Sequence, residues 1–241
     1  MTRLTTCLDA DSVAARAATH IERALARARE ERGVAHVALS GGTTPGLTYE
    51  LLGADPAESW ADVEVWFADE RCVAPEDPES NYRLAAETLL GPAAIAAERV
   101  HRMQGELGPQ DGALVYAREL SERVAGNEAG VPALDLVVLG IGPDGHVASL
   151  FPGAWTLDVE DGAVCLGVEN SPKPPPERIT LSLSVLRAAR SCLLLATGAG
   201  KADAVSAMLG ERTRHVPASL LRRERLTVIV DDAAAPSGAL Q

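Results

Sequence analysis

Aromatic residues make up only 3% of this 241-residue chain. That scarcity argues against a base-stacking platform for single-stranded nucleic acid and against a carbohydrate cleft paved with tryptophan. Lysine is rarer still: Lys173 and Lys201 are the only two, against twenty arginines. Either the composition is biased, or these two positions need a compact, flexible ammonium. Four dispersed cysteines, Cys7, Cys72, Cys165 and Cys192, form no C-x-x-C pair, so neither a disulfide framework nor a zinc site is expected. Cys165 and Cys192 sit in apolar runs and read as small core residues. Basic excess is absent too. The formal net charge is −12 and the pI near 4.9, which speaks against nucleic acid as a partner. No apolar run is long enough to span a bilayer, and the N-terminal stretch lacks the apolar core of a signal peptide. The expectation is a cytoplasmic protein without membrane association, acting as a monomer or weak homo-oligomer.

What is present is an ordinary globular composition, 46% apolar, with length enough for a sizeable core. Residues 10–32 read as a long amphipathic helix capped by Asp11 or Ser12 and ended by Gly33. Short apolar runs at 34–40, 63–70, 134–140, 163–169 and 225–232, and the run opening "SCLLLATGAGK", read as strands. Helical stretches lie between them: "GGTTPGLTYELL" with Thr44 as N-cap and Pro45 in its first turn, a capped helix over 80–90, and another over 110–125. "NSPKPPPERIT" reads as a stiff loop. The alternation implies one α/β domain over 1–241, with a mostly parallel sheet and helices on both faces. Ligands in such folds sit at the carboxyl ends of the strands. "ALSGG", "FADER", "LGIGPDGH" and "LATGAGK" are all strand-to-loop junctions, so all four are expected to open onto one edge.

Gly140-Ile-Gly142-Pro-Asp-Gly145 matches G-x-G-x-x-G after a strand, and Glu169 could serve a ribose. A dinucleotide fingerprint also needs a helix long enough for a crossover, and only four residues separate His146 from Phe151-Pro-Gly. Chemistry is the better reading. Gly142 and Gly145 would allow positive φ in a tight loop, lifting Asp144 and His146 to the strand end. An imidazole with an ordinary pKa of ~6.5 can take a proton from water at neutral pH, and a carboxylate would orient it.

The other loops offer binding groups. "SGGTTPG", with Ser40, Gly41, Gly42 and Thr43, presents backbone N–H groups at a helix start for an anion or a sugar hydroxyl, or is a plain turn. Asp69, Glu70 and Arg71 read either as a solvated charge run or as sugar-hydroxyl and phosphate ligands. "TGAGKA" fails as a Walker A loop, because Leu195 stands where its first glycine is required and Ala202 replaces the Ser/Thr. Lys201 beside that Gly loop suits a single phosphate. Lys173 and Arg178 sit on the Pro-rich loop as further cations. G-x-S-x-G and H-E-x-x-H are both absent, so an acyl-enzyme and zinc hydrolysis lose support.

Together "LSGGTTP", "WFADERCVAPEDPESNYRLAAETLL", "LDLVVLGIGPDGHVASLFPG", "KPPPERITLSLSVL" and "TGAGKADAV", in that order across nearly the whole chain, resemble the 6-phosphogluconolactonase family. The resemblance implies hydrolysis of 6-phospho-D-glucono-1,5-lactone to 6-phosphogluconate on a Rossmann-like α/β fold related to glucosamine-6-phosphate deaminases, with no cofactor and no metal. It casts His146 as general base and Asp144 as its support. Ser40, Gly41, Gly42, Asp69 and Glu70 would line the sugar site, with Arg71, Arg178 and Lys201 as phosphate ligands and Lys173 joining them. The sister deaminases continue the Asp-Gly-His loop to a Glu five residues past the His, where this chain has Phe151. A deaminase-like enzyme and a non-catalytic sugar-phosphate regulator are the alternatives. The chain has neither a basic face nor a degraded His loop to favour the latter.

Overall fold

The computed structural model describes residues 2–54, 57–159 and 162–236. Its first strand, β1 (Arg3–Cys7), leads into α1 (Ala10–Arg32). The cap of α1 is Asp9, whose carboxylate accepts from Ser12 N at 2.8 Å, rather than Asp11 or Ser12. Gly33 ends it in the left-handed region, as its position suggests. Then come β2 (Ala35–Leu39) and α2 (Thr43–Gly53). The N-cap of α2 is Gly42. Thr44, expected as the cap, lies inside the first turn, and its hydroxyl meets that of Thr197 at 2.7 Å.

The apolar run 63–70 is not one strand. It divides into β3 (Val63–Phe67) and β4 (Asp69–Arg71), which belong to different sheets. Ala68 is the joint: its N–H donates to Leu39 O in the parallel sheet, and its carbonyl accepts from Leu181 N in the other, both at 2.8 Å. The buried Tyr116 hydroxyl accepts from Phe67 N at 2.7 Å and donates to Phe67 O at 3.0 Å, so both backbone groups at the break are satisfied. Beyond the joint, Ser80 caps α3 (Asn81–Ala85), which widens into a π turn over Ala86–Leu90.

The remaining elements are α4 (Pro109–Arg123), β5 (Leu136–Gly140), β6 (Cys165–Val168), β7 (Arg178–Leu181), α5 (Leu183–Ala188), β8 (Cys192–Ala196), α6 (Ala202–Leu209) and β9 (Leu226–Asp231). The end of the Pro-rich segment is therefore strand, and its Pro174–Pro175 bond is cis. Six strands form a parallel sheet in the order β1-β9-β8-β5-β2-β3. Every residue of the central strand β8 is buried, as a sheet covered on both faces requires. The expected α/β class holds, with one addition: β4, β7 and β6 form a separate antiparallel sheet, against which α4 packs.

Strand order reverses between β2 and β5, since the chain leaves β2 towards β3 on one side and leaves β5 towards β8 and β9 on the other. The register of that pair runs through Val37–Leu136 and Ala38–Val137 and goes no further, leaving its carboxyl ends unpaired. A crevice at such a switch point is where an α/β sheet binds ligands.

Candidate active site

An open cleft of about 400 Å3 occupies this switch point. All four strand-end loops reach it. Ser40, Gly41, Gly42 and Thr43 arrive from β2, Asp69 and Arg71 from β4, His146 from the loop after β5, and Lys201 from the loop after β8. Lys173 and Arg178 close one side from the Pro-rich segment and β7.

The dyad is made within one loop. His146 Nδ1 lies 2.6 Å from Asp144 Oδ1. An ionised carboxylate only accepts, so Nδ1 carries the proton and Nε2 keeps its lone pair. Among the described residues Nε2 has no hydrogen-bond partner. Asp144 does not line the cleft but backs the ring from behind. Lys173 Nζ stands 3.3 Å from both Asp144 Oδ1 and His146 Nδ1. Since Nδ1 is a donor, the second distance is a charge beside a ring rather than a hydrogen bond. Lys173, expected among the phosphate ligands, is thus set against the dyad.

Of the two loop glycines, Gly145 has positive φ, 81°, but Gly142 does not. Gly142 is needed for room: a Cβ there would fall 2.0 Å from His146 Nδ1 and 2.4 Å from Asp144 Oδ1.

Burial pushes the His146 imidazole below its ordinary pKa, and the Lys173 charge adds to this. The bond and charge of Asp144 oppose both without cancelling them. For Asp144, burial pulls upward, but His146 and Lys173 together hold its carboxyl below the usual range. The imidazole is therefore neutral, and its carboxylate partner ionised, at neutral pH. Burial and the Lys173 charge likewise lower the Lys201 ammonium, whose Nζ donates to Ile141 O at 2.7 Å. That bond ties the last loop to the dyad loop.

Asp69 and Glu70 part company. Both are buried, yet neighbours on a strand point to opposite faces. Asp69 faces the cleft, its carboxylate oriented by Ser149 Oγ at 2.8 Å and Asn81 Nδ2 at 3.2 Å. Glu70, expected at the sugar site, does not line the cleft. It accepts from the backbone N–H groups of Arg71, Asn81 and Tyr82 and from Ser80 Oγ, at 2.7–3.0 Å, pinning the start of α3. Burial raises its carboxyl despite these donors.

Arg71 and Arg178 are direct cross-strand partners on β4 and β7. Like charges so placed are destabilising, unless an anion lies against both. Arg71 donates from Nη1 to Glu79 O, and its buried Nε has no partner. Arg178 is 4% exposed and reaches the carbonyls of Lys173, Pro174 and Pro175 at 2.9–3.2 Å. Phe151 fills the space between, its ring 4.7 Å from that of His146 and 5.7 Å from the Arg178 guanidinium.

Asn81, Ser149 and Thr197 did not stand out in the sequence. Asn81 was hidden inside a helix start, and Ser149 in a short run after the His. Asn81 Oδ1 and Ser40 Oγ are buried without hydrogen-bond partners on residues that line the cleft. Gly41 admits the Asn81 side chain, since a Cβ there would fall 1.8 Å from Oδ1. Among the described residues no three His, Cys, Asp or Glu side chains are grouped to hold a metal, and no helix is long and apolar enough to cross a membrane.

A doubly wound α/β scaffold with a histidine–carboxylate pair and converging cations at its switch point defines an enzyme of small anionic substrates. Comparison with known proteins makes this specific. The family model "Glucosamine-6-phosphate isomerases/6-phosphogluconolactonase" matches residues 8–230, and the chain belongs to that family. A 6-phosphogluconolactonase of Streptomyces coelicolor is 39% identical over 238 residues, covering 94% of this chain and 91% of that one. That of Rattus norvegicus is 38% identical over 220 residues, 89% and 84% of the two chains. The solved 6-phosphogluconolactonase of Leishmania guyanensis superposes with a TM-score of 0.87 at 26% identity, covering all of both chains.

Proposed function

We propose that this chain hydrolyses 6-phospho-D-glucono-1,5-lactone to 6-phospho-D-gluconate, the lactonase step of the oxidative pentose phosphate pathway, with His146 as general base. The observation that carries the mechanism is the Asp144–His146 pair, whose partnerless Nε2 stands in a cleft walled by four cations. Nε2 takes a proton from water as its oxygen bonds to the lactone carbonyl carbon. The tetrahedral intermediate then collapses, the bond from that carbon to the ring oxygen breaks, and the imidazolium returns the proton to the departing oxygen. The new carboxylic acid ionises in solution.

A lactone is an activated ester, so general-base assistance of ~10²–10⁴ needs no covalent nucleophile. Asp144 stabilises the transient imidazolium. Gly41 and Gly42 N–H groups are the candidates for the developing oxyanion. Arg71, Arg178 and Lys201 hold the phosphate, Asp69, Asn81 and Ser40 receive sugar hydroxyls, and Lys173 tunes the base. Phosphate anchoring lets remote binding energy position the ring. No metal takes part, and the enzyme works in the cytoplasm.

The test is hydrolysis of freshly generated lactone by wild type and His146→Ala, with and without a chelator. The expected result is chelator-insensitive acceleration that falls by roughly 10²–10⁴ in the folded variant. A wild-type rate no faster than spontaneous hydrolysis would sink the activity. A fully active His146→Ala would sink the mechanism alone.

A further inference from the structure

A second and larger cavity, about 630 Å3, opens at the opposite edge of the sheet. It lies between α1 and the amino ends of β1, β8 and β9, with Asp135 just ahead of β5. Six arginines line it: Arg3, Arg23, Arg27, Arg32, Arg190 and Arg225. Its acids are Glu31, Asp135 and Glu224, so the wall keeps an excess of three cations in a protein of net charge −12. Concentrating like charge at one place costs stability and persists where an anion is to be met.

The acids are largely committed. Glu31 pairs with Arg27 and Arg32, each at 2.6 Å. Asp135 pairs with Arg32 at 2.9 Å and Arg190 at 3.3 Å. Arg225 is held by the carbonyls of Ala188 and Ala189, both at 3.0 Å. Among the described residues, Arg3 on β1 and Arg23 on α1 have no acidic partner. On the same wall lies His20, whose Nε2 is buried without a hydrogen bond. Burial first, then the charges of Arg3, Arg16 and Arg23, hold its imidazole below the ordinary range.

We propose that this cavity binds a small, multiply charged anion of the phosphorylated-metabolite class, seated between Arg3 and Arg23 at the edge remote from the catalytic cleft. Guanidinium forks match phosphoryl oxygens in pairs, and the volume lies in the range of metabolite sites, about 300–1,000 Å3. A ligand of two or three negative charges balances the excess. Nucleic acid is the wrong partner, because beyond this cavity a chain of net charge −12 would repel an extended phosphate backbone.

Calorimetric titration with pyrophosphate and with ADP tests this on the intact chain. The comparison is wild type, Arg3→Ser/Arg23→Ser, and Lys201→Ala, whose change lies in the catalytic cleft. Arg3 and Arg23 are exposed, so the double variant should melt like wild type and keep its lactone turnover. Binding of at least one probe should weaken by about tenfold or more in the double variant, persist in Lys201→Ala, and weaken with added salt. Arg27→Ser, on the same wall, should weaken it as well. No binding of either probe overturns the proposal. So does binding that ignores Arg3→Ser/Arg23→Ser, or that vanishes in Lys201→Ala, since the probe then occupies the catalytic cleft. None of these outcomes depends on the lactone reading.

Discussion

Replacing Asp144 by Asn keeps the size of the side chain and an acceptor for the Nδ1 proton, but removes the charge. Wild type holds a 2.6 Å bond that becomes ion-to-ion when His146 takes a proton. Hydrogen bonds to charged groups contribute about 1.5–3 kcal/mol net. The Asp144 side chain is 34% exposed, so water screens it and the low end, about 1.5–2 kcal/mol, applies. At 1.36 kcal/mol per tenfold change, kcat should fall roughly ten- to thirtyfold. The structure adds a second effect of the same sign. Lys173, 3.3 Å from the ring nitrogen, loses its counter-charge and opposes the imidazolium unchecked. Lys173→Met should therefore restore part of the rate in the Asp144→Asn background while doing little good in wild type. The assay is initial-rate hydrolysis of freshly generated 6-phosphogluconolactone, corrected for the spontaneous reaction, across the four members of the cycle. If Asp144→Asn stays within twofold of wild type, or if Lys173→Met restores nothing, the account of the dyad is wrong.

Three more outcomes follow from the same geometry. With His146 as the proposed general base, the neutral imidazole is the active form and burial lowers its pKa, so the acid limb of kcat/KM should lie below the ordinary ~6.5; Lys173→Met removes a cation that disfavours protonation and should move that limb to higher pH. Gly142→Ala puts a methyl group where His146 Nδ1 and Asp144 Oδ1 stand, so activity should collapse while circular dichroism stays native. Glu70→Gln turns an acceptor-only group into one that meets three backbone N–H donors with an amide, leaving at least one unsatisfied at about 1–3 kcal/mol; Tm should drop by roughly 2–4 °C per kcal/mol lost, and an unchanged Tm would refute its placement.

The convergence of four strand-end loops could be read from the sequence because strand–helix alternation leaves a parallel sheet few other ways to close. That rule brings the loops of His146 and Lys201 to the cleft; the pairing of Asp144 with His146 rests on their closeness within one Gly-rich loop. The division of residues 63–70 could not be read, because Ala68 changes sheets inside a strand-like run with no glycine or proline to mark the joint. Missing that joint also misassigned Glu70. Adjacent acids look like a pair in sequence, whereas strand alternation sends Asp69 to the cleft and Glu70 beneath α3. Lys173 reaches the cleft as expected, but its nearness to the dyad could not be read, since its position depends on the path of a proline loop that no periodicity describes. The same gap hid the antiparallel sheet and the facing of Arg71 and Arg178.

The three carbonyls that Arg178 grips belong to Lys173, Pro174 and Pro175. One guanidinium thus touches the cleft on one side and fastens the backbone of the lysine beside the base on the other. Recognition and reactivity share a hinge pin. Whatever draws on the free edge of Arg178 also bears on where the Lys173 ammonium rests, and so on how readily His146 accepts a proton. An uncharged lactone of the same ring would fill the cleft without engaging that pin, and the shortfall would appear in turnover as well as in binding.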